Sequence, residues 1–201
     1  MNSKLIKFRF KGDRNYVQGP DIFNEILNYI HETLNFNFNF IIDVSFHKIV
    51  NKHLILNHYV GDLFVRPLDA SVAAKVNFKN DIHWFILKES DENIVCRYEY
   101  NEEKFITTCK IYTEQKLISC IEESPFTFIE TIVAMNKALH LSIYPDIVGK
   151  WLFVRGQLTK FEKFDCNDLK IRLVSNLNNK FTKSEVICNE KSVGFVYFSL
   201  N

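Results

Sequence analysis

Residues 124–144, SPFTFIETIVAMNKALHLSIY, decide how this chain is read. Ser124 is a good N-cap, and Pro125 suits the first helical position because its missing N–H has no intrahelical partner there. Phe128, Ile129, Ile132, Met135, Leu139 and Ile143 recur at helical spacing, and Pro145 ends the run. The pattern predicts a helix of about five turns with one strongly apolar side. That side needs a cover, and most of the remaining sequence reads as strands.

Toward the N-terminus, Ile22, Phe23, Ile26, Leu27, Ile30 and Leu34 form a second helical stripe, with Asp21 in its first turn complementing the helix dipole. The period then changes to two: Phe36, Phe38, Phe40, Ile42, Val44 and Phe46 alternate with polar residues, the signature of a half-buried strand. Residues 4–10, 48–59, 63–68, 81–88, 93–100 and 105–113 read as further strands. Pro67 marks an edge or bulge, and residues 89–92 read as a hairpin turn. Beyond the 124–144 helix come strands near 150–161, 168–177, 180–188 and 193–200. Asn178-Asn179 and residues 189–192 are their turns.

Composition narrows the function classes. With 47% hydrophobic and 14% aromatic residues the 201-residue chain can bury a sizeable core. Its 25 basic residues balance 24 acidic ones without a basic run, so nucleic acid is not expected as a partner. Charges interrupt every apolar run short of a membrane span, and the opening MNSKLIKFRFKGD lacks a signal-peptide core, which predicts no membrane partner and a cytoplasmic location. The five cysteines, Cys96, Cys109, Cys120, Cys166 and Cys188, form an odd set without a C-x-x-C pair, signalling neither a disulfide framework nor a zinc site.

The order strand, helix, several strands occurs twice, and residue matches follow it collinearly. Lys4-Leu5-Ile6 recurs as Lys116-Leu117-Ile118, and both helix starts carry P-x-x-F-x-E, in Pro20, Phe23, Glu25 and in Pro125, Phe128, Glu130. Leu63-Phe64-Val65-Arg66 recurs as Leu152-Phe153-Val154-Arg155, Asn80-Asp81 as Asn167-Asp168, and Asn101-Glu102 as Asn189-Glu190. The matches predict two units, 1–114 and 115–201, the first carrying an extra hairpin around 36–60.

Two copies of a long apolar helix cradled by an antiparallel sheet resemble the hotdog fold, and the whole chain resembles a double hotdog. This is an α+β architecture with two long central helices, each wrapped by an antiparallel β-sheet. The resemblance rests on element order and the internal repeat. It implies acyl-thioester chemistry of thioesterase or dehydratase type on acyl-CoA or acyl-carrier-protein substrates, in polyketide or related biosynthesis. It also allows a homodimer, and it implies no cofactor. The alternative it leaves open is a non-catalytic accessory protein that binds an acyl chain or a partner, since a fold hosts many functions.

In hotdog enzymes the thioester carbonyl approaches the N-terminus of a central helix, where free amides and the dipole stabilise an oxyanion. An acidic residue in the second turn, or a nearby histidine, supplies acid–base work. The candidate carboxylates here are Glu25 and Glu130, each five residues past its proline. Solvated helix glutamates are far commoner than catalytic ones. The loop Asp13-Arg14-Asn15-Tyr16-Val17-Gln18-Gly19 delivers polar groups to the first helix start, whereas the second copy connects with only Glu122-Glu123-Ser124. The resemblance thus points to Tyr16, Glu130, Glu25 and Asp13 as catalytic candidates, with Glu130 reaching across from the second copy. Arg14, Asn15, Gln18 and Gly19 are the substrate-binding candidates.

None of the six histidines forms the H-x-x-x-P-G approach of the dehydratase branch, a departure from that pattern. His53 and His58 read as strand-surface residues without the partners a metal site needs. No P-loop, dinucleotide fingerprint or G-x-S-x-G is present.

Overall fold

Two helices of 16 residues each carry the apolar stripes read from the sequence. The computed structural model describes residues 2–34, 40–62, 65–78, 80–120, 122–161 and 168–201. The chain divides into two compact units, Met1–Asn101 and Glu102–Asn201.

The first unit comprises β1 (Asn2–Ile6), β2 (Phe10–Lys11), α1 (Gly19–Leu34), β3 (Phe40–Phe46), β4 (Lys52–Val60), β5 (Val72–Phe78), β6 (Asp81–Asn93) and β7 (Arg97–Tyr98). Five strands form an antiparallel sheet in the order β1-β4-β6-β5-β3, and β2 pairs with β7 in parallel. The predicted stripe is the buried side of α1: Ile22, Phe23, Ile26 and Ile30 are each at most 1% exposed. Burying each such side chain contributes on the order of 1.5–3 kcal/mol. On β3 the period-two reading holds, with Phe40, Ile42 and Val44 buried and Phe46 half-buried; Phe36 and Phe38 lie outside the described residues.

The second unit comprises α2 (Glu103–Ile106), β8 (Lys110–Tyr112), β9 (Leu117–Cys120), α3 (Phe128–Ile143), β10 (Trp151–Phe161), β11 (Leu169–Leu177), β12 (Phe181–Cys188) and β13 (Lys191–Leu200). Its antiparallel sheet runs β8-β9-β11-β12-β13-β10. Ile129, Ile132, Met135 and Leu139 are the buried side of α3, joined there by Asn136 and His140. Asn178 and Asn179, at φ 52° and 55°, turn β11 into β12, and Asn189 and Glu190, at 48° and 64°, turn β12 into β13. Positive φ at both central residues matches the twist of a tight hairpin, and Asn tolerates it well.

Several expectations are corrected. Helix α3 starts at Phe128 with Thr127 as N-cap, because Thr127 and Glu130 close a capping box that Ser124 cannot form. Ser124 instead accepts from the Thr131 hydroxyl at 2.6 Å. Residues 36–60 form no hairpin among the described residues: β3 pairs with β5, and β4 with β1 and β6. Residues 65–68 are not strand, and β6 continues through residues 89–92, where its register against β4 shifts between the pairs Leu54–Glu89 and Lys52–Asn93. There the Glu89 carboxylate accepts from the amides of Asn51 and Lys52, at 2.9 and 3.2 Å, which fastens β6 to the start of β4. His53 is buried, its Nδ1 accepting from the Phe8 amide at 3.0 Å, and half-buried His58 stacks on His83 and Phe85.

Helix α1 follows the first strand of its main sheet and α3 the second of its own, and the two units do not match residue for residue. Helix positions pair Glu130 with Asp21, each the third residue of its helix, and leave Glu25 a turn further on. The sheet orders differ too. In the first unit β6 lies between β4 and β5, whereas in the second β11, β12 and β13 follow one another as a meander.

Candidate functional site

The first two turns of α1 present Asp21, Asn24 and Glu25 on the side away from the buried stripe, one wall of a cleft of about 230 Å³. The facing wall is Lys7, Phe8 and Arg9, the connection between β1 and β2, together with Tyr98 of β7. This wall is held from below: Phe8 is 6% exposed and its amide donates to His53 Nδ1. The parallel β2–β7 pair, closed by Phe10 N to Cys96 O at 2.9 Å and Gly12 N to Tyr98 O at 2.8 Å, sets Tyr98 beside it.

The two carboxylates, one helical turn apart, sit in different surroundings. Asp21 lies 2.6 Å from the ammonium of Lys11, whose side chain is fully buried and covers the Tyr100 ring at 4.5 Å. Its charge is therefore compensated inside the protein. Glu25 is half-buried, and the loss of hydration that comes with burial raises its pKa above the ordinary carboxylate value, against the opposing field of Lys4 and a hydrogen bond from Asn28. Desolvation favours the protonated form of an acid. Asp21, paired with a buried lysine, is suited to a fixed role in the cleft wall, and Glu25 to exchanging a proton. The Arg9 guanidinium lies 4.9 Å from the Tyr98 ring centroid, and Lys7 makes a 3.8 Å ion pair with Glu92 in which both side chains are largely exposed. Such a pair is weak, which leaves Lys7 exchangeable for an incoming anion.

Of the residues singled out in the sequence, the structure brings Glu25 into the cleft, and the others lie elsewhere. Asp13 and Asn15 are exposed, Tyr16 is half-buried, and none of them lines the cleft. Arg14 lies over the Tyr100 ring at 5.7 Å, and with the Gln18 amide oriented to accept, its Nε donates to Gln18 at 2.6 Å. These contacts order the loop ahead of the helix. Gly19 is the first residue of α1, but Pro20 has no N–H and the amides of Asp21 and Ile22 point at the Gln18 carbonyl, at 3.0 and 3.3 Å. Glu130 belongs to the second unit and accepts from the Thr127 amide at 3.0 Å and the Thr127 hydroxyl at 2.6 Å.

Sequence reasoning missed Lys7, Arg9, Lys11, Asn24 and Tyr98, and credited Asp21 only with complementing the dipole. The spacing of Asp21 and Glu25 at i, i+4 was the available signal, since it places both on one helix face.

No protein-family profile matches the chain, and no curated protein does. Solved structures do match. A protein assigned as a thioesterase from Novosphingobium aromaticivorans superposes with a TM-score of 0.54 at 10% identity, covering 99% of this chain and 94% of its own. A protein assigned as thioesterase II from Thermobifida fusca gives 0.51 at 9% identity, covering 94% and 88%. The dehydratase domain of PpsC from Mycobacterium tuberculosis, solved in complex with C12:1-CoA, gives 0.50 at 8% identity, covering 99% and 92%. These are hotdog-fold proteins, and at such identities the likeness is one of fold: this chain has hotdog-fold architecture.

Proposed function

We propose that this chain is a double hotdog that hydrolyses acyl thioesters of coenzyme A or an acyl-carrier protein at the cleft beside α1. The observation that carries the reading is Glu25, a carboxyl group in the second turn of the helix whose pKa is raised by burial. A general base works best with a pKa drawn toward the operating pH. Glu25 takes a proton from a water attacking the thioester carbonyl and returns it to the departing thiolate. Arg9 and Asn24 stabilise the oxyanion, because the amides of Asp21 and Ile22 are turned to Gln18. Lys7 and Arg9 at the rim attract the phosphate groups of the carrier. At about 230 Å³ the cleft falls below the roughly 300–1,000 Å³ of sites that enclose drug-sized ligands, so it takes the thioester head rather than a long acyl chain.

The test is a panel of acyl-CoA and acyl-pantetheine substrates assayed with wild type, Glu25→Gln and Arg9→Ala. Hydrolysis should fall about 10²- to 10⁴-fold in Glu25→Gln with the fold intact, and Arg9→Ala should lower kcat through the oxyanion and raise KM through the phosphates. Binding without turnover by the wild type would favour the accessory-protein reading. Absence of both, or an unchanged rate in Glu25→Gln, would remove the cleft from consideration.

A further inference from the structure

In the second unit two free thiols face one another across β8 and β9. The ladder pairs Lys110 with Ser119, so its next rung sets Cys109 opposite Cys120. Cys120 lies on the buried side of β9 with Ile118, at 4% and 0% exposure, while Cys109 is half-buried and reachable from solvent. The surroundings hold both sulfurs in place. Cys109 Sγ is 3.8 Å from the Phe105 carbonyl, Cys120 Sγ is 3.6 Å from the Glu122 carbonyl, and Thr108 Oγ1 lies 3.7 Å from Cys120 Sγ. Burial first, and then hydrogen bonding to Cys120, pushes the Cys109 thiol up to about 12.

Residues directly opposed on antiparallel strands have Cβ atoms about 4.5–5.5 Å apart. A disulfide needs about 3.5–4.5 Å. Closing the bond therefore takes a movement of about an ångström at the end of two short strands. We propose that Cys109 and Cys120 are a reversible disulfide-forming pair, oxidised by a small-molecule disulfide. The Cys109 thiolate attacks one sulfur of the oxidant, forming a mixed disulfide and releasing one thiol. The Cys120 thiolate then attacks Cys109 Sγ, forming the internal bond and expelling the second thiol. The protein gives up two electrons and two protons, and the oxidant is reduced to two thiols. Cys109 attacks first because it is the member solvent reaches; with its pKa held up the thiolate is scarce at neutral pH, so the attack is slow and quickens as pH rises, and Cys120 resolves because it is buried behind it. The bond clips the residue ahead of β8 to the last residue of β9, from which the chain leads to the Thr127 cap of α3.

The test treats the folded, reduced protein with oxidised glutathione, then blocks remaining thiols and maps peptides by mass. The expected product is a Cys109–Cys120 crosslink, its joined peptides lighter by two hydrogens than the separate thiol peptides, which dithiothreitol restores. Cys120→Ser should instead accumulate a glutathione adduct on Cys109, and Cys96→Ser should behave as wild type. A stable glutathione adduct on wild-type Cys109, a crosslink to another cysteine, or thiols left unmodified where Cys96 reacts would each overturn the pairing.

Discussion

The ammonium of Lys11 lies 2.6 Å from the carboxylate of Asp21, with the lysine side chain fully buried and the aspartate 16% exposed. Removing one partner of a buried pair strands the other charge, which costs about 3–5 kcal/mol, whereas replacing both by apolar groups is often close to neutral. Lys11→Met alone should therefore lower the denaturant midpoint sharply, and Lys11→Met with Asp21→Leu should recover most of the loss. A double variant as unstable as the sum of the singles would show that the two side chains are not coupled.

Glu25 makes stability depend on pH in the direction opposite to a salt-bridged carboxylate. Its folded pKa is raised by burial, so in the window just above the ordinary value of 4.5 the folded state holds a proton that the unfolded state has lost. Stability then falls as pH rises through that window. Glu25→Gln removes this dependence: it should be more stable than wild type at neutral pH, with the difference vanishing below pH 4.5. Parallel urea titrations across the range measure it.

His140 behaves the other way. It is fully buried, with Nδ1 against the Asn136 carbonyl at 2.6 Å and Nε2 within 2.7 Å of the Thr182 hydroxyl, and burial lowers its pKa from 6.5. Below that value the unfolded state binds a proton that the native state refuses, so stability drops as pH falls through 6.5. The imidazole should remain neutral by NMR through the pH at which free histidine titrates. Thr182→Val, which leaves Nε2 without its donor, should cost about 1–3 kcal/mol.

Two glycines separate strain from collision. Gly194, at φ +142°, has Gln157 O 2.1 Å from where a Cβ would stand, whereas Gly61, at φ +146°, has nothing within 4 Å. Gly61→Ala should carry backbone strain alone, about 1–3 kcal/mol. Gly194→Ala should exceed it clearly, since β13 would have to move off β10 at the Leu158–Gly194 pair. Equal thermal shifts in the two variants would contradict the close approach.

On the buried side of α3, Asn136 keeps both side-chain amide atoms without a partner among the described residues. An apolar residue of similar volume removes that desolvation penalty, so Asn136→Leu should stabilise the protein by about 1–3 kcal/mol. A loss of stability would mean the amide is satisfied in solution.

The helices and the alternation of β3 were legible because they follow local periodicity: Ile22 to Ile30 and Phe40 to Val44 reveal their inner sides by spacing alone. The turns at Asn178-Asn179 were legible from residue type. The continuation of β6 through Glu89 to Glu92 was not, because these polar residues are taken up as an irregularity in the ladder between Leu54–Glu89 and Lys52–Asn93, fastened by the Glu89 bonds to Asn51 and Lys52. The same holds for the cleft. Glu25 could be picked out on its helix, but Lys11 in Phe-Lys-Gly-Asp reads as a solvated charge until the fold lowers it beneath Tyr100.

The placement of β6 between β4 and β5 gives the two units different routes to their sheets. In the second unit β11, β12 and β13 zip up through two tight turns, each strand pairing with its predecessor. In the first, β4 stays without its inner neighbour until β5 has crossed over and β6 has returned between them. Pairings between sequence-distant strands are closed late, since loop entropy must be met before contacts reward it. The β11–β12–β13 meander thus grows from strands that are neighbours in sequence, whereas β4 is an edge that stays open until β6 returns to it.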